Sequence, residues 1–249
     1  MVRAFLIFLL TLAPASAEEV VAGLSQSRIS ITTNFDGSEI LIFGAVKRES
    51  EIDPDAPVEV IITVEGPKKP LTVRRKDRRF GIWVNTDAVE VDEAPSFYAI
   101  ATSAPWEQVL SDTADLRHHI SIRRAIRSVG AEIAGSEDFT EALIRIREEA
   151  GLYQTNIGAV ALDEQTLFNT SIRLPANLTE GEYHARFFLT RAGEVIDTHD
   201  SVIDVQKVGL ERFLFRLSRD NPLVYGLMSL AIAIFAGWAA SAAFRVFRT

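Results

Sequence analysis

The chain has 249 residues and a formal net charge of −8; 47% of its residues are hydrophobic and 24% are charged. This balance is typical of a globular protein rather than a disordered one, and the acidic excess argues against a nucleic-acid binder. The absence of cysteine from the sequence excludes a disulfide framework, iron–sulfur ligation and a cysteine nucleophile.

The first residues have the pattern of a secretory signal peptide. Arg3 is followed by the apolar run 4–13, then by Pro14 and a cleavage site with small residues at Ala15 and Ala17. An apolar run of this length covers only about half of a bilayer core as a helix. We therefore predict that residues 1–17 are a signal peptide and that the rest of the chain is exported. The alternative is an uncleaved signal anchor.

Residues 18–208 are predicted to form a mainly β domain, an immunoglobulin-like β-sandwich. Alternating or continuous apolar runs predict strands at 28–33, 39–45, 58–64, 97–103, 167–174 and 183–191. The spacing of Gly181 and Tyr183 at the start of the last of these strands is that of a tyrosine corner. Trp83, between two apolar neighbours, is predicted to be a core residue.

The densest charge feature lies at residues 68–79, where seven basic residues accompany one acidic residue. We predict a hairpin that turns at Lys76 and Asp77 and presents this basic cluster. Anionic phospholipid headgroups, an acidic partner or an anionic solute could bind there. The alternative is a solvated strand edge whose charges prevent further pairing. The basic residues are Lys68, Lys69, Arg74, Arg75, Lys76, Arg78 and Arg79.

A helical insertion is predicted at about residues 105–151, where the period of the apolar residues changes. The alternative is a connection between two lobes of the sandwich. The clearest helix of this region covers 136–150, with Phe139 and Leu143 on one apolar face and Gly151 as a suitable C-terminal cap. The stretch 115–129 is ambiguous between helix and other structure.

The C-terminal region has the pattern of a membrane anchor. Residues 209–221 can form an amphipathic juxtamembrane helix, which would lie at the headgroups or pack on the domain. Residues 222–244 are predicted to be a transmembrane helix, because 223–244 contain no charged residue and rise about 33 Å as a helix. With a signal peptide before it, this helix predicts one pass, a periplasmic domain and a cytoplasmic tail at 245–249.

A stripe of small residues follows one side of this helix. Ser229, Ala233, Gly237 and Ser241 recur at every fourth position. Small residues at this spacing let two helix backbones approach closely, so the stripe indicates a packing face for another helix. The alternative is a chance stripe, since alanine and glycine are common in membrane spans.

The sequence contains no motif that would identify an enzyme or a cofactor site. His118 and His119 are neighbours, so on a helix they diverge by about 100° and cannot chelate one ion together. The signatures of serine hydrolases, zinc proteases and phosphate-binding loops are absent from the sequence. We therefore predict no cofactor, no metal site and no catalytic activity, and a hydrolase with dispersed carboxylates is the weakest alternative.

Several short patterns, spread in order over the mature chain, resemble the alphaproteobacterial putative transmembrane protein family. They are Leu24-Ser25, Phe35-x-Gly37, 42–45, Gly66-Pro67, 73–76, 81–85, 174–177, Gly181-x-Tyr183 and Tyr225-Gly226. The resemblance implies an exported domain with one C-terminal helix, and it implies no activity and no catalytic residue. It also suggests an accessory role beside sulfite-exporter-like membrane proteins.

Two functional expectations follow. The first is a non-enzymatic accessory protein of the bacterial inner membrane, whose partners are membrane lipid and a polytopic membrane protein such as a transporter, or a second copy through the helix. The second is a periplasmic anion- or ligand-binding domain that uses the basic hairpin at 68–79.

Overall fold

A computed structural model describes residues 18–32, 35–48, 56–127, 136–208 and 210–247. The chain divides into two compact units, one of residues 1–29 and 36–205, the other of residues 30–35 and 206–249. The predicted signal peptide at 1–17 and the end of the predicted tail lie outside the described residues.

The first unit is built from strands that form three sheets. The strands are β1 (Glu19–Leu24), β2 (Arg28–Ile31), β3 (Ser38–Lys47), β4 (Val58–Glu65), β5 (Lys68–Arg79), β6 (Ile82–Pro95), β7 (Tyr98–Thr102), β8 (Tyr153–Asn156), β9 (Ala161–Asp163), β10 (Leu167–Leu174), β11 (Gly181–Arg191) and β12 (Glu194–Lys207). The last residues of β2 and of β12 belong to the second unit. One sheet has the order β1-β3-β10-β9, a second has the order β2-β12-β11-β4-β7-β8, and β5 pairs with β6 alone. Most of these pairs are antiparallel, and β7 with β8 is parallel.

The core lies between the two larger sheets. Along β10 buried and exposed residues alternate strictly, as expected for a strand with one covered face. Phe168 on β10 contacts Phe187 on β11 with ring centroids 6.2 Å apart, so the four-stranded sheet packs against the six-stranded one. Strand β4 is buried along almost its whole length, which explains its continuous apolar sequence.

The helices cover the other face of the six-stranded sheet. Helices α1 (Trp106–Val109), α2 (Asp112–His118), α3 (Ile122–Ala125) and α4 (Ser136–Glu149) fall where the sequence predicts the insertion. The ring of His118 lies edge-on to Phe188, the neighbour of Phe187 that points to the opposite face. Gly151, with φ of 69°, closes α4 through a bond from its amide to the Glu148 carbonyl, as predicted.

The predicted tyrosine corner is present at the start of β11. The Tyr183 hydroxyl donates to the Thr179 carbonyl at 2.8 Å, and the side chain is buried. Tyr183, Ala185, Phe187 and Leu189 all point into the core, so the alternation predicted for this strand is confirmed.

The second unit contains two helices, α5 (Leu210–Asp220) and α6 (Pro222–Phe247). Residues Pro222–Ala242 of α6 are long and apolar enough to cross a membrane, with a mean hydropathy of 1.9 and no part of the window buried. The sequence prediction of a mainly β protein with one apolar C-terminal helix is therefore confirmed.

Candidate functional site

Strands β5 and β6 form a hairpin that pairs with no other strand among the described residues. Their antiparallel register joins Val73 to Val89 near the base and Arg79 to Ile82 at the far end. The register shifts at Pro70, which has no amide to donate, and again between Arg75 and Lys76.

The hairpin does not turn where the sequence predicts. Lys76 and Asp77 lie within β5, opposite Asn85 and Val84, so the prediction of a turn at these two residues is wrong. The chain reverses at Phe80 and Gly81, whose φ angles are 50° and 86°. Two successive positive φ angles match the twist of a two-residue hairpin turn.

The base of the hairpin is anchored and its distal half is exposed. Val89 and Val91 are buried, whereas residues 74–83 are exposed. On α4, the Phe139 ring lies 4.8 Å below the Arg75 guanidinium, and Asp138 lies 3.3 Å from it. Helix α4 therefore contacts the hairpin at Arg75, and no contact of α4 beyond Arg75 is present among the described residues.

Three of the seven predicted basic residues have carboxylate partners. Lys68 pairs with Glu65 at 2.9 Å, Arg75 with Asp138, and Arg79 weakly with Asp77 at 3.9 Å. The other four, Lys69, Arg74, Lys76 and Arg78, have no carboxylate within 4.0 Å in the part of the chain that is described. Alternation along β5 places Arg74, Lys76 and Arg78 in a row on one face of the hairpin. The hairpin thus presents a basic face rather than a closed binding site.

The end of the hairpin is apolar. Phe80 is 106% exposed, Trp83 is 69% exposed and Ile82 is 65% exposed. The prediction that Trp83 is a core residue is therefore wrong. Its apolar neighbours suggested a covered strand, but a hairpin of two strands has no second layer beyond its base.

A basic cavity of about 590 Å³ opens beside the base of the hairpin. Five permanently cationic side chains and two histidines line it, together with only two carboxylates. These residues are Lys68, Arg123, Arg124, Arg127, Arg186, His118, His119, Glu65 and Glu93. The predicted hairpin residues contribute only Lys68 to this cavity.

Arg186 organises the wall of the cavity. Its guanidinium lies 3.6 Å from the Glu65 carboxylate, donates to the Tyr98 hydroxyl and the His118 carbonyl at 3.3 Å each, and sits over the Phe188 ring. Burial raises the pKa of Tyr98 well above its ordinary value, so this phenol stays protonated and donates to the Ile120 carbonyl. The cation is thereby fixed in place, and its Nε is buried without a hydrogen-bond partner among the described residues.

The pKa of one of the two cavity histidines, His118, is lowered. Burial lowers the pKa of His118, and the positive charges of Arg117 and Arg186 lower it further. Arg123 is partly neutralised by Glu137 and Glu141 at 3.6 and 3.3 Å. Arg124 and Arg127 have no such partner in the described part of the chain, so the cavity keeps an excess of positive charge.

Sequence reasoning missed this cavity. Its residues come from β4, β5, β6, β11 and the helical insertion, and no local pattern joins Glu65 to Arg186. One signal was available, because Arg123, Arg124 and Arg127 lie close together in the stretch left ambiguous.

The predicted stripe on α6 is exposed throughout. Ser229, Ala233, Gly237 and Ser241 are all exposed, and a Cβ built on Gly237 would meet no atom within 4 Å. The Ser229 hydroxyl donates to the Gly226 carbonyl of its own helix, so its hydrogen-bond donor is already satisfied within α6. Among the described residues, no group of three potential metal ligands is present.

A β-rich unit followed by one apolar helix long enough to cross a membrane is the arrangement of single-pass membrane proteins. The chain belongs to the family described as "Putative transmembrane protein (Alph_Pro_TM)", which matches residues 19–246. The resemblance drawn from the sequence is thereby confirmed, and the protein fits a single-pass membrane protein.

Other comparisons add little. No curated protein matches the chain. The crystal structure of Spo0M, the sporulation control protein from Bacillus subtilis, is similar over 82% of this chain, with a TM-score of 0.31 and 10% identity. The match covers 55% of that chain, so this chain spans about half the length of the Spo0M chain. A likeness at this level carries no argument about function.

Proposed function

We propose that this protein is a non-enzymatic interaction module of the bacterial inner membrane. Helix α6 anchors it, the β-rich unit lies on the periplasmic side, and the module accompanies a polytopic membrane protein such as a transporter. The signal-peptide pattern at residues 1–17 supports this orientation. Protease added to intact spheroplasts should remove the β-rich unit, and full protection of that unit would contradict the orientation.

The observation that carries the proposal is the exposed stripe on α6. Lipid tails are as apolar as the helix, so helices associate in membranes mainly where small residues allow close packing. Gly237 lies at the centre of the stripe, with open space where a side chain would be. A helix of a partner, or of a second copy, would fit against this side.

The direct test is affinity purification of the full chain from native membranes, with identification of what is retained. Gly237→Ile should weaken the association, because a branched side chain holds the two backbones apart. Ala231→Ile is the matched control, since Ala231 lies on the opposite side of α6. Charge reversal at Arg74, Arg75 and Arg78 tests whether the hairpin also contacts the partner. Purification of the protein alone, with no difference between the two helix variants, would contradict the proposal.

The second candidate function is binding of an anionic ligand, and the basic cavity favours it. Arg124, Arg127 and the fixed cation of Arg186 line a space large enough for a small anion. A ligand that binds only the folded state raises the free energy of unfolding, by about 2.7 kcal/mol at a hundredfold excess over its Kd.

This second function can be tested with inorganic phosphate and sulfate on the full chain in detergent. One of the two anions should raise the melting temperature at constant ionic strength, and Arg124→Gln with Arg127→Gln should abolish the rise. The matched control is Arg145→Gln with Arg173→Gln, two exposed arginines that do not line the cavity. Melting temperatures that depend only on ionic strength would contradict specific anion binding.

A further inference from the structure

The end of the β5–β6 hairpin combines three exposed apolar side chains in one short stretch. Phe80, Ile82 and Trp83 fall within four consecutive residues at the turn, and the last hairpin residue with a contact to α4 among the described residues is Arg75. Exposed single apolar residues are common on soluble surfaces, but clustered exposed aromatic residues mark an interaction site.

The turn holds an aromatic residue, Phe80, in an unfavourable backbone conformation. Phe80 has φ of 50°, in the left-handed region that asparagine, aspartate and glycine adopt more readily than a bulky residue. Asparagine followed by Gly81 would form this turn with less strain. Strain that persists at an exposed turn points to a function for the Phe80 ring.

The charges around this end fit one kind of surface. Arg78 lies directly opposite Trp83 in the register, and Lys76 and Arg74 continue the row away from the turn. Aromatic rings flanked by arginine and lysine are the side chains that occupy the boundary between lipid headgroups and acyl chains. A protein surface complementary to the basic row would be acidic, and it would leave Phe80 and Ile82 without an apolar contact.

We propose that the hairpin end, Phe80 to Trp83, inserts into the headgroup region of an anionic lipid bilayer, with Arg74, Lys76 and Arg78 on the phosphates. The inference goes beyond the proposed function and does not require a protein partner. Beyond the bridge between Glu93 and Arg127, the outer edges of both hairpin strands pair with no other strand among the described residues. Unpaired backbone groups are unfavourable in hydrocarbon, so only the turn enters the interface.

Trp83 reports directly on this insertion. The full chain carries three tryptophans, so Trp106→Phe with Trp238→Phe leaves Trp83 as the only fluorophore of its kind. This protein is reconstituted into vesicles of phosphatidylcholine with phosphatidylglycerol, or of phosphatidylcholine alone, each with and without brominated acyl chains. We expect blue-shifted Trp83 emission that brominated lipid quenches in the anionic vesicles, and weaker quenching in the neutral vesicles and at high salt.

Two variants separate insertion from folding. Phe80→Asn relieves the strained turn, so the hairpin should remain folded while the quenching of Trp83 falls. Neutralising Arg74, Lys76 and Arg78 to glutamine should weaken docking about a hundredfold, at about fivefold per basic side chain near an anionic surface. The matched control neutralises Arg117, Arg145 and Arg173, which are exposed elsewhere on the same unit.

Trp83 emission that is unquenched and identical in both lipids would overturn the proposal. Quenching that persists unchanged in the Phe80→Asn and charge-neutralised variants would overturn it as well, because the named side chains would not be responsible. Crosslinks from an introduced Asn85→Cys to another protein or a second copy, without quenching by lipid, would assign the hairpin to a protein partner instead. Co-purification through α6 is measured separately, so either proposal can fail without the other.

Discussion

Replacing Glu18 should destabilise the protein, because its buried carboxylate joins the two large sheets. The Glu18 carboxylate is 5% exposed and accepts from Arg48 Nε at 2.8 Å and from the Arg191 guanidinium at 2.7 Å. Glu18 precedes β1, Arg48 follows β3, and Arg191 ends β11. The cluster therefore ties the four-stranded sheet to the six-stranded sheet at one end of the core.

The magnitude follows from what Glu18→Ala leaves behind. Each lost bond is charge-assisted and contributes about 1.5–3 kcal/mol. The Arg48 side chain is only 8% exposed, so it would remain as a buried charge without a carboxylate. In the variant, Arg48 still donates to the Gln165 carbonyl and Arg191 still donates to the Ala56 carbonyl. The expected loss in the free energy of unfolding is therefore near the lower limit for two such bonds, at about 3 kcal/mol.

The measurement is thermal and urea unfolding of the full chain in detergent, followed by near-ultraviolet circular dichroism. A loss of about 3 kcal/mol lowers the melting temperature by about 6–12 °C for a domain of this size. Glu19→Ala is the matched control, because Glu19 pairs with Lys47 at 3.0 Å on the exposed side of the same strand. That pair contributes less than about 1 kcal/mol. Equal effects of the two substitutions would refute the role given to the buried cluster.

Three further changes test other parts of the fold. Gly44→Ala should destabilise the protein by about 1–3 kcal/mol in urea unfolding, because its Cβ would overlap the Phe168 ring; an unchanged midpoint would contradict this contact. Burial raises the pKa of Tyr153 from 10.0 to about 12, so stability present below pH 10 is lost as the pH rises towards 12. Tyr153→Phe should reduce the alkaline loss of stability, while Tyr98 and Tyr183, whose pKa values burial also raises, keep the remainder. A profile parallel to the parent's would contradict the assignment. The lowered pKa of His118 gives a pH dependence in the opposite direction, because the stability present above its unfolded pKa of about 6.5 is lost as the pH falls. His118→Asn should make this acidic loss of stability smaller, as measured by urea unfolding at several pH values.

The strands that carry the core could be predicted because their sequences repeat with a fixed period. β10 alternates along its whole length, and β11 alternates on the face that begins with Tyr183. The apolar run of α6 was equally clear, since only length and hydropathy decide whether a helix can span a bilayer. In each case the signal is local and involves many residues.

The errors fall where a local signal competes with the rest of the molecule. Lys76 and Asp77 are polar and resemble a turn, whereas the turn that forms places Phe80 at a positive φ that sequence preferences disfavour. Trp83 is a large aromatic residue between two apolar neighbours, as is typical of a core residue. It is exposed because no sheet or helix among the described residues covers the end of the hairpin. The basic cavity required knowledge of how β4, α3 and β11 come together, which no periodicity contains.

The wrong predictions for the turn and for Trp83 have one physical origin, which is the small number of contacts that the end of the hairpin makes within the chain. A hairpin of two strands is marginally stable alone, because nothing covers its faces. Between Arg75 and the turn, the described residues place neither a covering helix nor a third strand on the β5–β6 hairpin, and Phe80 at its turn has a positive φ. Folding stability gains little from this extension, so its aromatic and basic residues are explained better by what they contact outside the chain. Low amide protection in residues 74–83 in detergent, rising in anionic bilayers, would distinguish a docking element from a rigid part of the fold.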